Sequence, residues 1–273
     1  MSSSNGSANG LLHEGDVLAG AYEVLAHLSR GRALDVYDAW SIERDCRCVA
    51  KLMRPDRQEA RVRRRLVREG ELLLDLTHPH IVRAYELRRR PRVVLVLETL
   101  GGETVEHLIH SAPRRLAIAD IAHLGLQLCS AIGYLHGHGF LHLDLKPSNV
   151  IVQTGQARVI DLSLCRRPGP VPRGLGSPPY LSPEQARGGR ATTATDVWGI
   201  GVTLYEAATG IWPFPDAKRR SYPQRDRRAP SVSENRRAPA EFTALIDACL
   251  APDQSERPSI GELADGLDAV IGP

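Results

Sequence analysis

Apolar and polar positions alternate from Ala21 to Val36, a run that contains Tyr22, Val24, Leu25, Leu28 and Val36. This pattern predicts two strands joined by a hairpin around Ser29 to Ala33. Cys46 to Leu52 reads as a further strand. Arg57 to Leu76 carries Val62, Leu66, Leu73 and Leu76 at helical spacing, with a highly charged opposite face. Ile81 to Leu87 and Val93 to Leu97 are β-rich runs, so the first hundred residues or so predict a sheet with one helix.

After Gly101-Gly102 the pattern changes. Val105 to Ile109, Ile118 to His136 and Thr195 to Thr209 have helical periodicity, while Leu141 to Val152 and Arg158 to Ile160 are short extended pieces. Cys165 to Pro179 is rich in Pro, Gly and Arg and reads as a loop. Pro213, Pro215, Pro223 and Pro230 leave Trp212 to Ala238 mostly irregular, and Glu241 to Leu250 and Ile260 to Ile271 close the chain as helices. No internal repeat is visible. A small sheet-rich part followed by a larger helical part predicts an α+β architecture with a cleft between the two.

Composition narrows the function classes. The chain has 273 residues, 42% hydrophobic and 25% charged, as expected of a soluble globular protein. Aromatics are only 5%, so the core must rest on Leu, Val, Ile and Ala. A net charge of +3 is too small to imply a nucleic-acid partner. Basic residues cluster from Arg61 to Arg68 and at Arg88, Arg89, Arg90 and Arg92. They read as a solvated helix face and hairpin, or as a docking surface for an acidic partner on the Arg-rich helix. The five cysteines show no paired C-x-x-C spacing, which argues against a disulfide framework. Cys46 and Cys48 would point the same way on a strand, where packing explains them better than a metal does. No apolar run approaches the ~18 residues of a membrane span. Residues 1–20 read as a flexible tail whose Ser/Asn/Gly-rich start lacks the order of a signal peptide, which predicts a cytoplasmic protein with no membrane contact.

The most informative string is His142-Leu143-Asp144-Leu145-Lys146-Pro147-Ser148-Asn149. Phosphoryl transfer needs Asp, Lys and Asn together in a way that a structural turn does not. Asp144 can accept the proton of an attacking hydroxyl, Lys146 can offset charge on the moving phosphoryl group, and Asn149 can hold a magnesium ion. Twelve residues further on, Asp161 follows the apolar pair Val159-Ile160 and offers a second hard oxygen ligand.

These residues resemble the protein-kinase family, in particular bacterial serine/threonine kinases of eukaryotic (Hanks) type. The string at 142–149 resembles the catalytic loop, usually HRDxKxxN, and Asp161-Leu162-Ser163 the DFG triplet. Gly176 to Glu184 is similar to the end of the activation segment, Asp196-Val197-Trp198-Gly199 to the start of the long buried helix, and Arg257 to the arginine that pairs with the segment's glutamate, here Glu184. Upstream, Val49-Ala50-Lys51 resembles the strand that carries the nucleotide-binding lysine, and Glu69 the helix glutamate that fixes it. The resemblance runs in order from about Ala21 to Ile271. It implies a two-lobed protein-kinase-like fold, with a β-rich N-lobe over 21–99 and a helical C-lobe over 100–271.

The resemblance also implies roles. Lys51 would hold the α- and β-phosphates of ATP, Leu28, Val36 and Val49 would roof the adenine, and Ile151 would floor it. Ser29 and Gly31 belong to the glycine-loop position. Backbone groups near Glu98 and Leu100 would meet the adenine edge, and Asn149 and Asp161 would hold Mg2+. Lys146, and Ser177 ahead of Pro178, fit the family's serine/threonine pattern, and the platform from Gly176 to Glu184 with Arg257 implies protein substrates. His142 and Asp196 read as structural, Glu184 and Arg257 as a buried tie, and Trp198 and Trp212 as core.

Four departures stand out. The loop Ser29-Arg30-Gly31-Arg32-Ala33-Leu34 keeps only Gly31 of the GxGxxG pattern, which predicts a loose grip on nucleotide. Val49 brings bulk to the adenine side, and Ser163 replaces the DFG glycine. Leu143 replaces the catalytic-loop arginine, which predicts an activation segment that needs no phosphorylation. A pseudokinase acting as a binding or scaffold module is the main rival. A small-molecule phosphotransferase is disfavoured by the platform from Gly176 to Glu184. The sequence reads either as a free-standing domain or as part of something larger.

Overall fold

The structure is a computed structural model that describes residues 10–272. The tail reading of residues 1–9 therefore lies outside the described residues. The chain divides into two compact units, one made of residues up to His78 plus Val82–Gly101, the other of Pro79–Ile81 plus Gly102 onward.

The first unit is a six-stranded antiparallel sheet with one helix. Its strands are β1 (Val17–Leu18), β2 (Tyr22–Arg30), β3 (Leu34–Ser41), β4 (Cys46–Met53), β5 (Ala84–Arg88) and β6 (Val94–Glu98), in spatial order β1-β2-β3-β4-β6-β5. Period-two alternation sorts the two faces. Val36 lies opposite Lys51 and Asp38 opposite Val49, so these four share one face. Tyr37, Ala39, Cys48, Ala50 and Leu52 take the other, where they form the core with Tyr22, Val24, Val94 and Val96.

That core corrects the reading of residues up to 20 as a tail. Leu18 is fully buried in it, Leu11 and Leu12 pack against it, and Val17 and Leu18 pair with Glu23 and Tyr22. Apolar residues at 11, 12, 17 and 18 found a sheet face to cover; the polar residues around them had masked the signal.

Helix α1 (Ala60–Asp75) buries Leu66, Leu72 and Leu73. Gly70 lets it approach β5, since a Cβ there would stand 2.7 Å from the Leu87 side chain. The helix starts later than its periodicity predicted. Arg57 closes a turn onto the Arg54 carbonyl (3.0 Å) instead, and Glu59 gives no side-chain cap.

The second unit is mostly helical. It comprises β7 (Glu103–Thr104), α2 (Val105–Ser111), α3 (Ile118–Gly137), β8 (Val150–Gln153), β9 (Gln156–Val159), β10 (Gly169–Pro170), α4 (Pro183–Arg187), β11 (Arg190–Ala191), α5 (Thr193–Thr209), α6 (Val232–Asn235), α7 (Ala240–Cys249) and α8 (Ile260–Ile271). Residues Thr195 to Thr209 of α5 are all buried, as befits a helix apolar on most sides. At 20 residues, α3 is long and apolar enough by length and composition to cross a membrane, which the run-length reading had missed. Half of its apolar window is buried, and Gly125 brings it against Leu204 of α5 and Leu267 of α8.

Several short elements escaped the periodicity, among them α6 within the stretch expected to be mostly irregular. Gly169–Pro170 pairs with Arg190–Ala191 inside the expected loop, and α4 is too short to show a helical period. A capping box, Ser182 with Gln185, starts it. Trp198 is core as expected, but Trp212 is 37% exposed. Trp212 instead donates its indole N–H to Tyr180 Oη (3.0 Å) and Glu206 Oε1 (2.9 Å).

Candidate active site

In the first unit β4 and α1 bring Lys51 against Glu69. Lys51 Nζ donates to Glu69 Oε1 and Oε2 at 2.7 and 3.0 Å, and both side chains are buried. Val36 and Val49, on the Lys51 face, are half-buried, whereas Leu28 falls in a bulge of β2 and is 55% exposed. Ser29 pairs with Val36 within the ladder. The expected glycine loop is a closed hairpin: Gly31 N–H donates to the Leu34 carbonyl at 2.8 Å, and Arg54 donates to the Gly31 carbonyl at 3.2 Å. Gly31 does not use the left-handed backbone open to glycine. Glu98 ends β6 with its carboxylate on the Arg83 amide (2.8 Å), and Leu100 follows, half-buried.

In the second unit the segment 141–149 is held from beneath. Asp196, at the start of α5, accepts the backbone N–H groups of His142 and Leu143 at 2.8 Å each, and His136 Nε2 lies 2.8 Å from the same carboxylate. These bonds support Leu143 in a left-handed conformation, with φ 67°. His142 is fully buried, and its Nδ1 accepts from the Asp144 amide (3.2 Å). Burial pushes its pKa below the ordinary imidazole value, against the pull of Asp196 and Asp144.

The turn presents a compact polar group. Asp144 Oδ1 accepts from the Ser177 amide (2.9 Å) and Oδ2 from Lys146 Nζ (3.1 Å). Lys146 Nζ also donates to Ser177 Oγ at 2.7 Å, and Asn149 Nδ2 donates to the Asp144 carbonyl at 2.9 Å. Asn149 thereby commits its nitrogen and keeps Oδ1 for another partner. The β8–β9 ladder pairs Val150 with Val159, and the Ile160 amide donates to the Asn149 carbonyl (3.0 Å), which sets Asp161 beside Asn149 in the chain's pairing. One Asp161 oxygen accepts from the Ser163 amide at 2.9 Å. An amide oxygen and a carboxylate are hard donors of the kind that suits a magnesium ion. Among the described residues no three His, Cys, Asp or Glu side chains form a protein-only metal cage. Ile151 sits in β8, half-buried.

Sequence reasoning missed the part played by Gln185. Its Nε2 donates to the carbonyls of Leu143 (2.8 Å) and Leu175 (2.9 Å), tying the 141–149 turn to the segment that follows Asp161. The S-x-x-Q capping pattern could have signalled its Oε1 partner, the Ser182 amide; no local signal marks the bridge. Around it Leu141, Leu143, Val171 and Ala191 form a buried apolar cluster, with Leu164 and Leu175 packed against it. The tie read into Glu184 and Arg257 is present, with N–O distances of 2.8 and 3.0 Å.

The family model for the protein kinase domain matches residues 22–266. The chain belongs to the protein kinase domain family. Members of this family generally use ATP and Mg2+. The chain is 30% identical to the serine/threonine-protein kinase pkn2 of Myxococcus xanthus, over 93% of this chain and 33% of pkn2. It is 32% identical to the serine/threonine-protein kinase PrkC of Bacillus subtilis, over 73% of this chain and 32% of PrkC. It thus spans about a third of the length of these relatives. The kinase domain of Mycobacterium tuberculosis PknI shares the fold, with a TM-score of 0.77 at 21% identity, covering 96% of this chain and 100% of that one.

Proposed function

We propose that this kinase domain transfers the γ-phosphoryl group of ATP to serine or threonine hydroxyls of proteins, and that it does so without phosphorylation of its activation segment. The observation that carries the reading is the group Asp144, Lys146, Asn149 and Ser177, hydrogen-bonded to one another at 2.7–3.1 Å. In this reading Asp144 accepts the proton of the substrate hydroxyl as its oxygen bonds to phosphorus and ADP leaves. Lys146 offsets the charge that develops on the phosphoryl oxygens. Lys51, held by Glu69, binds the α- and β-phosphates. Asn149 and Asp161 are the magnesium ligands, and the ion, when bound, neutralises phosphate charge.

Several features support independence from a phosphate switch. Leu143 offers no charge for a phosphate to neutralise, and it is buried in the apolar cluster with Val171, Leu164 and Leu175. Between Cys165 and Tyr180 the hydroxyls are Ser177 and Tyr180 alone. The first is engaged by Lys146 and the second, nearly buried, by Glu206 (2.8 Å). Five prolines, at 168, 170, 172, 178 and 179, limit the freedom of the unfolded segment.

The degenerate loop from Ser29 to Leu34 favours the second reading, a pseudokinase that binds nucleotide or partners without transfer. Incubation with labelled ATP and magnesium, with and without a generic protein substrate, separates the two. Transfer by the wild type that is absent in Asp144→Asn supports the enzyme. Equal background in both supports the pseudokinase.

A further inference from the structure

The first unit contains a pocket of about 500 Å³ between the end of β4, the start of α1 and the β5–β6 turn. Its lining includes Arg63, Arg89, Arg90 and Arg92, with Met53 and Val93 as apolar floor. Met53 is 7% exposed and Val93 4%, so the floor is fixed by the sheet, whereas all four arginines are exposed.

Their charges are poorly answered within the chain. Arg89 pairs with Glu71, on the exposed side of α1. Arg63, Arg90 and Arg92 form no ion pair among the described residues. Four guanidinium groups around one concavity repel each other, and the potential they create favours an anion. Guanidinium forks match phosphate oxygens in bidentate geometry. The pocket's volume lies within the ~300–1,000 Å³ typical of organic ligands, so a bare phosphate ion would leave the floor unused.

We propose that this pocket binds a phosphorylated peptide segment, with the phosphate on Arg63, Arg90 and Arg92 and a neighbouring apolar side chain over Met53 and Val93. The site gives the Arg-rich region a ligand class, and it does not rest on the reading of the chain as an active enzyme. Lys51 and Glu69, bonded to each other, do not line it.

The test is fluorescence anisotropy with a labelled ten-residue peptide carrying one phosphoserine next to a phenylalanine. Saturable binding is expected, weakened at least tenfold when the phosphate is omitted and severalfold when the phenylalanine is replaced by alanine. The double variant Arg63→Glu, Arg92→Glu should weaken binding at least tenfold, with melting temperature and any phosphoryl transfer unchanged. The milder variant Arg90→Ala should weaken it severalfold, which keeps the test open if charge reversal impairs folding. Equal binding of the unphosphorylated peptide, or indifference to these arginine substitutions, overturns the proposal. So does complete displacement by low-millimolar inorganic phosphate, which would reveal a simple anion site. Tighter, arginine-dependent binding to phosphatidylserine vesicles than to the peptide would assign the surface to lipid and overturn it as well.

Discussion

Asp144 and Lys51 should fail differently when replaced. Asp144→Asn removes the proton acceptor but keeps an oxygen for the Ser177 amide, so transfer should vanish while the melting temperature stays within a degree or two. Lys51→Ala should also abolish transfer, and it removes the ammonium that bonds both oxygens of the buried Glu69. Removing one member of a buried ion pair costs about 3–5 kcal/mol, so this variant should melt below the wild type. Calorimetric melts beside the transfer assay check both. His142 supplies a pH dependence. Its folded-state pKa is depressed by burial, so below the ordinary value of 6.5 the unfolded chain takes up a proton that the folded chain refuses. Stability should therefore fall as pH drops from 7.5 to 5.5. The fall should be smaller in His142→Phe, and equal slopes would show that His142 does not contribute.

At the scale of elements, the apolar cluster around Leu143 should be intolerant of charge. Leu143→Arg would bury a guanidinium among Leu141, Val171 and Ala191, costing about 3 kcal/mol or more. Limited proteolysis should then cut faster between residues 161 and 184; unchanged cutting would mean that the cluster does not hold the segment. The hairpin at Gly31 makes a second case. Ser29→Gly with Leu34→Gly should tighten ATP binding by about 1 kcal/mol at most, since ordering a freer loop consumes much of the gain. The same change should lower stability by about 0.5–1 kcal/mol per strand residue replaced. Titration calorimetry and melts together read both effects. Weaker ATP binding would show that the existing side chains already do the glycines' task.

These elements show what was legible in advance. Alternation and helical spacing located β2 to β4, α1, α3, α5 and α8, because each buries one face or nearly all of itself. The motif residues located the Asp144 group and the Lys51–Glu69 pair, because their chemistry restricts residue type at fixed spacing. Val17–Leu18 and Gly169–Pro170 were not legible, since strands of two residues carry no period and exist only by pairing. Nor was the Leu143 cluster, whose members at 141, 143, 171 and 191 are gathered by chain paths that no local pattern records. Leu28 warns against the opposite error, for its place in the motif gave no sign that its side chain is largely exposed.

On the scale of the whole molecule, Arg257 ties distant parts of the second unit. Besides Glu184 it donates to the carbonyls of Ala251 and Ala194, and its guanidinium lies 5.0 Å from the Trp198 ring centroid. Arg257→Leu should cost about 3–5 kcal/mol, because Glu184 stays buried without its counter-ion. The double variant with Glu184→Gln should recover part of that loss, as measured by denaturant unfolding.

The account as a whole turns on phosphoryl transfer by a chain whose activation segment carries no phosphate. The direct measurement is the initial rate of transfer to a protein substrate after phosphatase treatment, with mass spectrometry confirming that residues 161–184 are unmodified. The account predicts a rate that is maximal from the first time point and lost in Asp144→Asn. A rate that starts near zero and climbs as phosphate accumulates in that segment would contradict it.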